Sequence, residues 1–397
     1  MQVQHLVIIG GGFAGFWSAM SAVRQARELE KHDKLKITLI SKDEYHGIRP
    51  RFYEEDLAGT RIPIRNYLEP LKIDLIVDEV SSIDAENRRI FFANGSGEIF
   101  YDTLIIAAGS RLKASDIPGF EQAFSVDTFQ DATRLDQHLR KLSAAGFSTP
   151  SSRNLVVVGG GFTGLEVVTS LPQRVKAHTP NGAAFNYFLI ERSTGIALNY
   201  SVDAQHYIAD QLKSVDIQLL LGEEAERIET GRIVLKTGKS IDTDTVIWTT
   251  GLEASPLTAN LKSERDELGR LGVDNFLRLP TYHNVFAAGD VVKVLVDDQN
   301  YAVMSCQHAM PQGKFAGHNA VNFMFDREPL SYLQPRYATC LDLGPENALL
   351  TVGWERDVKV LGPEAKGLKR QINTQWIYPA QNVEETIKMS APEVMAS

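Results

Sequence analysis

The sequence predicts an α/β protein built from two Rossmann-like units and a small C-terminal unit. Three observations carry that expectation. An apolar stretch, Leu6 to Ile9, runs into Gly10, Gly12 and Gly15, spaced G-x-G-x-x-G, and then into a small-residue apolar run from Phe16 to Val23. The same pattern returns between Asn154 and Glu166, with Gly159, Gly161 and Gly164. A second echo links TLIIAAG (Thr103 to Gly109) with TVIWTTG (Thr245 to Gly251), so one architecture is used twice.

Each glycine stretch reads as a short buried strand, a tight turn and a helix N-terminus. The first glycine turns the chain, the second lets backbone approach a diphosphate, and the third lets helix and strand pack closely. The helix dipole and its free N–H groups then hold the anion. One copy alone is weak, because a ligand-free strand–helix turn has the same spacing. Two near-identical copies point to two diphosphate sites and so to two nucleotides.

The elements follow in order. After the first helix, the charged run 24–34 reads as its exposed end. Leu35 to Ser41 is a second strand. Where such folds place an acid for the adenosine ribose, this strand ends in Ser41 and Lys42, a pair that would also suit a 2′-phosphate. The segment 43–55, with His46, Arg49 and Arg51, reads equally as a solvated loop or a functional one. Leu71 to Ser110 reads as successive strands with a turn at Asn94-Gly95. Asp131 to Leu142 has a helical pattern, and Phe147 to Arg153 is a polar linker.

In the second unit the strand Phe185 to Glu191 ends in an acid about 30 residues after Gly159. That is where a carboxylate meets a ribose 2′-hydroxyl and repels a 2′-phosphate, which favours NADH over NADPH. Ser201 to Leu212 reads as a helix, and strands follow from Asp216 onward. Asn284 to Val292 is an apolar strand ending in Gly289-Asp290, with Asp290 placed for a helix N-terminus or a ribityl hydroxyl. Ser305 to Phe325 is helical in its later part, with Met304, Met310 and Met324 as packing residues. From Asp326 a separate small unit is expected, with strand-like stretches at 330–344 and 348–354, a basic cluster at Lys366, Lys369 and Arg370, and a disordered end from Met389. The expected division is 1–112 and 253–325 for the first unit, 113–252 for the second and 326–397 for the C-terminal unit.

Bulk properties narrow the function. With 397 residues, 43% hydrophobic and 23% charged, the chain has the composition of a multidomain globular protein. A net charge of −9 argues against nucleic acid as a partner. The two cysteines, Cys306 and Cys340, form no C-x-x-C pair and read as reduced thiols. No metal site is expected. The sequence shows no signal-peptide pattern and no run of 18 apolar residues, so a cytoplasmic protein is expected, with peripheral membrane contact left open.

These motifs resemble the glutathione-reductase-like flavoproteins with two dinucleotide-binding domains. Within them the chain is most similar to the type II NADH dehydrogenases, membrane-peripheral NADH:quinone oxidoreductases. The resemblance runs in order through VIIGGGFAG, TLIIAAGS, VVVGGGFTGLE with Glu191, WTTGLEASPL, ELGRLGVD, NVFAAGD and QHAMPQG. It implies FAD on Gly10, Gly12, Gly15, Gly109, Gly289 and Asp290; Ser41 stands at the adenosine end, Gln307, His308 and Ala309 are expected to line the flavin's acceptor face at a helix N-terminus, and His46 and Arg49 are candidates for the opposite wall. It implies NADH on Gly159, Gly161, Gly164, Glu191 and Gly251. Glu166 matches a family glutamate near the nicotinamide–flavin contact, where a carboxylate can relay a proton; as a residue alone it reads equally as an acid at a helix N-terminus. Gln307 matches the first glutamine of the family's A-Q-x-A-x-Q quinone motif.

Three departures accompany the resemblance. Pro311 stands at that motif's last glutamine, with Gln312 one place late; Ser41 replaces the ribose acid, with Asp43 or Glu44 as substitutes; and Ile372 to Glu385 is polar where relatives end in an apolar membrane-binding segment. The implied acceptor is a quinone-like small molecule. The rivals are an iron–sulfur or rubredoxin-like protein and a redox-sensing binding module without turnover. A homodimer is also left open.

Overall fold

The computed structural model describes residues 3–95, 97–176 and 184–393. Two parallel sheets set the frame. The first contains β1 (Gln4–Ile9), which leads through α1 (Phe13–Glu28) to β2 (Leu35–Ser41), then β3 (Asp74–Val77) and β4 (Thr103–Ile106). β1 pairs in parallel with β2 and β4, and β2 with β3. β5 (Ser110–Leu112) and α2 (Phe129–Ala144) lead into the second sheet, made of β6 (Asn154–Val158), β7 (Asn186–Glu191), β8 (Ile217–Leu221) and β9 (Thr245–Trp248). β6 leads into α3 (Phe162–Lys176), and α4 (Val202–Ser214) lies between β7 and β8. β6 is flanked by β7 and β9, and β7 by β8, all parallel.

The two sheets are stitched together. β10 (Leu252–Ala254) runs antiparallel to β5, and β11 (Val285–Ala287) returns to the first sheet beside β4. Each sheet also carries a three-stranded antiparallel meander, at 80–100 and at 225–242. α5 (Cys306–Met324) then crosses the first unit. The C-terminal unit is an antiparallel sheet of β12 (Ala338–Asp342), β13 (Ala348–Val352) and β14 (Asp357–Leu361), followed by α6 (Gly362–Gln371) and α7 (Val383–Met389).

The central strands are apolar because both faces are covered. Leu6 to Ile8, Leu104 to Ile106 and Leu155 to Val157 are all fully buried. The tightest packing is between α1 and α5. A Cβ on Gly313 would lie 2.3 Å from the Ala14 carbonyl oxygen, and one on Gly317 2.2 Å from that of Ser18. Only glycine allows backbones to approach this closely.

This packing corrects one expectation. Arg24 and Gln25 are buried rather than at an exposed helix end, because α5 lies against them. An Arg24 Nη2 is 3.0 Å from His318 Nδ1, and Gln25 Nε2 donates to Asn322 Oδ1 at 2.7 Å. α1 also begins at Phe13, earlier than the apolar run indicated. The expected disordered end is corrected as well. Met389 closes α7, Ser390 and Ala391 are buried, and residues 394–397 lie outside the described residues. Of the strand-like stretch at 330–344, only Ala338–Asp342 joins a ladder.

Candidate functional site

The two glycine turns have the same geometry. Gly10 and Gly159 sit at φ +114° and +107°, a region that glycine enters without strain. A Cβ on Gly15 would lie 1.8 Å from the Gly10 carbonyl oxygen, and one on Gly164 1.8 Å from that of Gly159. These glycines hold helix against strand. Gly12 and Gly161 face open space, with nothing within 4 Å of a Cβ position. The first N–H groups of α1 and α3 have no acceptor within their helices. Each turn is therefore a cradle sized for a diphosphate, and the residues present fit a nucleotide at both.

The second strands end differently. Glu191 Oε2 accepts from Gly160 N at 2.7 Å, and its Oε1 accepts from Ser193 N at 2.8 Å. Burial opposes its ionisation, but the Ser193 and Gly160 N–H groups outweigh burial and hold the carboxyl below its usual range. Ser41 Oγ packs under Gly11, 2.5 Å from a Cβ position there. Lys42 pairs with Glu79 at 2.5 Å. Asp43 accepts from Tyr45 N at 2.8 Å, and Glu44 pairs with Arg65 at 3.1 Å. No side chain of the first unit repeats the Glu191 arrangement among the described residues. His46 is fully buried against Phe13 and Phe16, with Nδ1 3.1 Å from the Gly11 carbonyl. Burial lowers its pKa to about 4, so a neutral ring props the turn from beneath.

A second corner forms where β4, β11 and α5 meet. Gly289, at φ +80°, donates its N–H to Gln312 Oε1 at 2.7 Å. A Cβ on it would stand 3.6 Å from the Ala309 Cβ. Asp290 Oδ2 accepts from Ser110 Oγ at 2.6 Å and lies 3.6 Å from an Arg49 Nη1. Arg49 also donates to Ser110 Oγ at 2.7 Å and pairs with Asp127. Burial raises the Asp290 pKa, against the pull of Ser110 and Arg49. Gly109 and Gly251 turn with φ +68° and +91° at matching strand ends.

The start of α5 is more committed than the sequence indicated. The Gln307 amide pairs with the backbone of Ala338, donating to its carbonyl at 2.8 Å and accepting from its N–H at 3.2 Å. His308 is buried, with Nδ1 3.2 Å from Ser305 Oγ, and its ring stacks on Tyr337 and Trp354. Burial pushes the Cys306 thiol up to about 11, and the charges of Lys369 and Asp290 both act on it.

Glu166 points into a buried polar cluster. Its Oε1 is 2.7 Å from Lys369 Nζ on α6 and accepts from Asp342 N at 3.1 Å. Burial raises its pKa to about 7, with the Asp342 charge adding and Lys369 opposing. Asp342 accepts from Tyr53 Oη at 2.7 Å and from Lys366 Nζ at 2.6 and 2.7 Å. The C-terminal unit thus reaches the helix of the second turn. Sequence reasoning missed Lys369, Asp342, Tyr53 and Gln312 as members of these clusters. The basic cluster at 366–370 and the displaced glutamine Gln312 were the signals, and neither named a partner.

A repeated nucleotide cradle on two parallel sheets defines a class. The pyridine nucleotide-disulphide oxidoreductase family matches residues 4–313, and the chain belongs to it. It is an NAD(P)H-dependent flavin oxidoreductase. Cys306 and Cys340 are free thiols, so no disulfide is formed.

The nearer likenesses are to NADH dehydrogenases. The chain is 38% identical over 382 residues to an NADH dehydrogenase-like protein of Mycobacterium tuberculosis (strain H37Rv), covering 95% of each. It is 24% identical over 394 residues to the type II NADH:quinone oxidoreductase of Staphylococcus epidermidis (strain ATCC 12228), covering 94% of this chain and 95% of that one. The solved structure of NDH2 from Plasmodium falciparum in complex with NADH shares the fold, with TM-score 0.80 and 15% identity over 98% of this chain and 97% of that one. No helix among the described residues is long and apolar enough to cross a membrane.

Proposed function

We propose that this chain oxidises NADH through FAD and delivers the electrons to a quinone-like acceptor. The observation that carries the reading is the doubled cradle, with an acid fixed at one strand end and the Asp290 corner beside the other. Gly10, Gly12, Gly15 and Ser41 would hold the adenosine diphosphate end of FAD. Arg49, Gly109, Gly289 and Asp290 would hold its ribityl end, with His308 and Ala309 at the near end of α5. Gly159, Gly161, Gly164, Glu191 and Gly251 would hold NADH. When bound, the flavin supplies a carrier that accepts hydride and releases electrons.

The chain's own residues do the rest. Glu191, already held by two N–H groups, presents ordered lone pairs to a ribose diol and repels a 2′-phosphate. Glu166, with a pKa near 7, gains or loses a proton at its carboxyl near neutral pH. Lys369 fixes Oε1 of that carboxyl and keeps it oriented. Gln307, spent on Ala338, positions α5 against the C-terminal sheet.

Similarity to the staphylococcal quinone oxidoreductase supports the acceptor class. The test is steady-state NADH oxidation with soluble quinones. Turnover dependent on both substrates supports the reading. Fast flavin reduction with no quinone turnover would reject it in favour of a protein acceptor.

A further inference from the structure

A funnel of about 300 Å³ opens between α3 and α6. Gln173, Glu346, Arg370 and Thr374 stand exposed around it. Asp342 and Lys369 line it as buried residues, at 7% and 5% exposure. Glu166 itself is 4% exposed. Lys369 Nζ lies 2.7 Å from Glu166 Oε1, and Asp342 N donates to the same oxygen at 3.1 Å. Two residues thus touch this buried carboxyl and also line an opening to solvent.

The titratable groups around Glu166 come from several elements. α6 brings Lys369 and, through Asp342, Lys366; β12 brings Asp342 and Cys340; the segment after Arg51 brings Tyr53; and the turn before α4 brings Tyr200. Burial raises the pKa of Tyr53, Tyr200 and Cys340, so all three are neutral near pH 7. Against burial, the Glu166 charge holds Lys369 protonated. The charges that bear on Glu166 are then those of Lys369, Asp342 and Lys366. Asp342 favours a proton on the carboxyl, and Lys369 opposes it. Lys366 clasps the Asp342 carboxylate at 2.6 and 2.7 Å from the funnel wall, and so offsets the negative charge that Glu166 feels.

We infer that this funnel is the proton inlet of Glu166 and that Asp342 and Lys366 are its positioning residues, the first favouring a proton on the carboxyl and the second opposing it. The inference rests on the reading above for the use of the proton: NADH + H⁺ + quinone → NAD⁺ + quinol draws one proton from solvent per turnover. In the inlet step a hydronium ion in the funnel gives its proton to the Glu166 carboxylate. An O–H bond forms there, water is left behind, and no electron moves. Neither Asp342 nor Lys366 gives up or takes a proton; each acts through its charge.

The test is an NMR titration of isotope-labelled glutamate carboxyls in the oxidised, FAD-loaded protein, without NADH or quinone. The Glu166 signal is identified by its loss in Glu166→Gln. Asp342→Asn is expected to lower the carboxyl's proton affinity about tenfold and Lys366→Ala to raise it about tenfold, so the two midpoints move in opposite directions. Methylammonium, entering the funnel to take the vacated place beside Asp342, is expected to return the Lys366→Ala midpoint toward that of the wild type. Tetramethylammonium, which has no N–H to donate, is expected to leave it unmoved. Shifts of one sign in both variants, no shift in either, or a Lys366→Ala midpoint indifferent to methylammonium would each overturn the inference. Equal effects of the two ammonium ions would reduce the rescue to bulk salt and overturn the inlet. The Lys366→Ala series remains decisive should Asp342→Asn, which strands a cation, fold poorly. Failure of the NADH reading shows instead as flavin that NADH does not reduce, so the two failures are distinguishable.

Discussion

The two glycine turns share one backbone and differ in what covers them. Over the first, α5 lies close, so Phe13 and Ala14 are buried. At the second, Gly161, Phe162 and Thr163 are exposed. The first turn has neutral supports, Ser41 below and His46 against its aromatic residues. The second has Glu191, half-buried and locked by two N–H groups. A roofed cradle suits a cofactor that stays, and an open one with a fixed acid suits a nucleotide that comes and goes.

The largest expected effects separate the two cradles directly. A Cβ at Gly12 or Gly161 meets no protein atom, so both Gly12→Ala and Gly161→Ala should fold, yet each methyl fills the ligand's approach. Gly12→Ala should weaken FAD binding about 100-fold and purify colourless. Gly161→Ala should purify yellow, with the NADH KM raised about 100-fold, a loss of about 2.7 kcal/mol. Flavin content and steady-state kinetics check both. Loss of flavin from Gly161→Ala would break the division.

Next in size, Glu191→Ala should raise the NADH KM about 10- to 30-fold and change kcat less than about threefold, because a charge-assisted hydrogen bond to bound nucleotide is lost. Unchanged NADH kinetics would remove its ribose role.

Glu166→Gln should act through protons rather than binding. With its pKa raised to about 7, the folded chain binds a proton that the unfolded chain releases above about 4.5. The sign follows: this contribution to stability is fully present at low pH and fades as pH rises through about 7. Stopped-flow reoxidation by quinone should show an inflection near pH 7 in the wild type that Glu166→Gln lacks. Superimposable profiles would make Glu166 structural.

The smallest effect belongs to Ser41→Ala, expected to alter FAD affinity less than about threefold. Ser41 Oγ has no side-chain bond among the described residues. Fluorescence titration with FAD checks it, and a large loss would mean that the serine serves as the first unit's substitute for Glu191.

The parts legible in the sequence were those governed by local rules. Strands buried on both faces must be apolar, and turns at φ +114° or +107° must be glycine, so both cradles could be read directly. Glu191 was found because its distance from Gly159 is set by one βαβ unit. What escaped notice depends on distant chain. Arg24 looks like a helix's solvated end until α5 supplies His318 and Asn322. Gln312 looks like a displaced motif residue, yet it turns inward to hold Gly289 N. Glu166 meets its cation only when α6 closes over α3. No spacing rule announces a contact made across separate units.

The most direct measurement is an anaerobic absorbance titration of the wild-type protein and Gly161→Ala with NADH. Both should be yellow, and after one equivalent of NADH the wild type should bleach at once while the variant bleaches about 100-fold more slowly at the same concentration. A wild-type protein that takes up no FAD, or a Gly161→Ala variant that bleaches like wild type, would contradict the assignment of one nucleotide to each cradle.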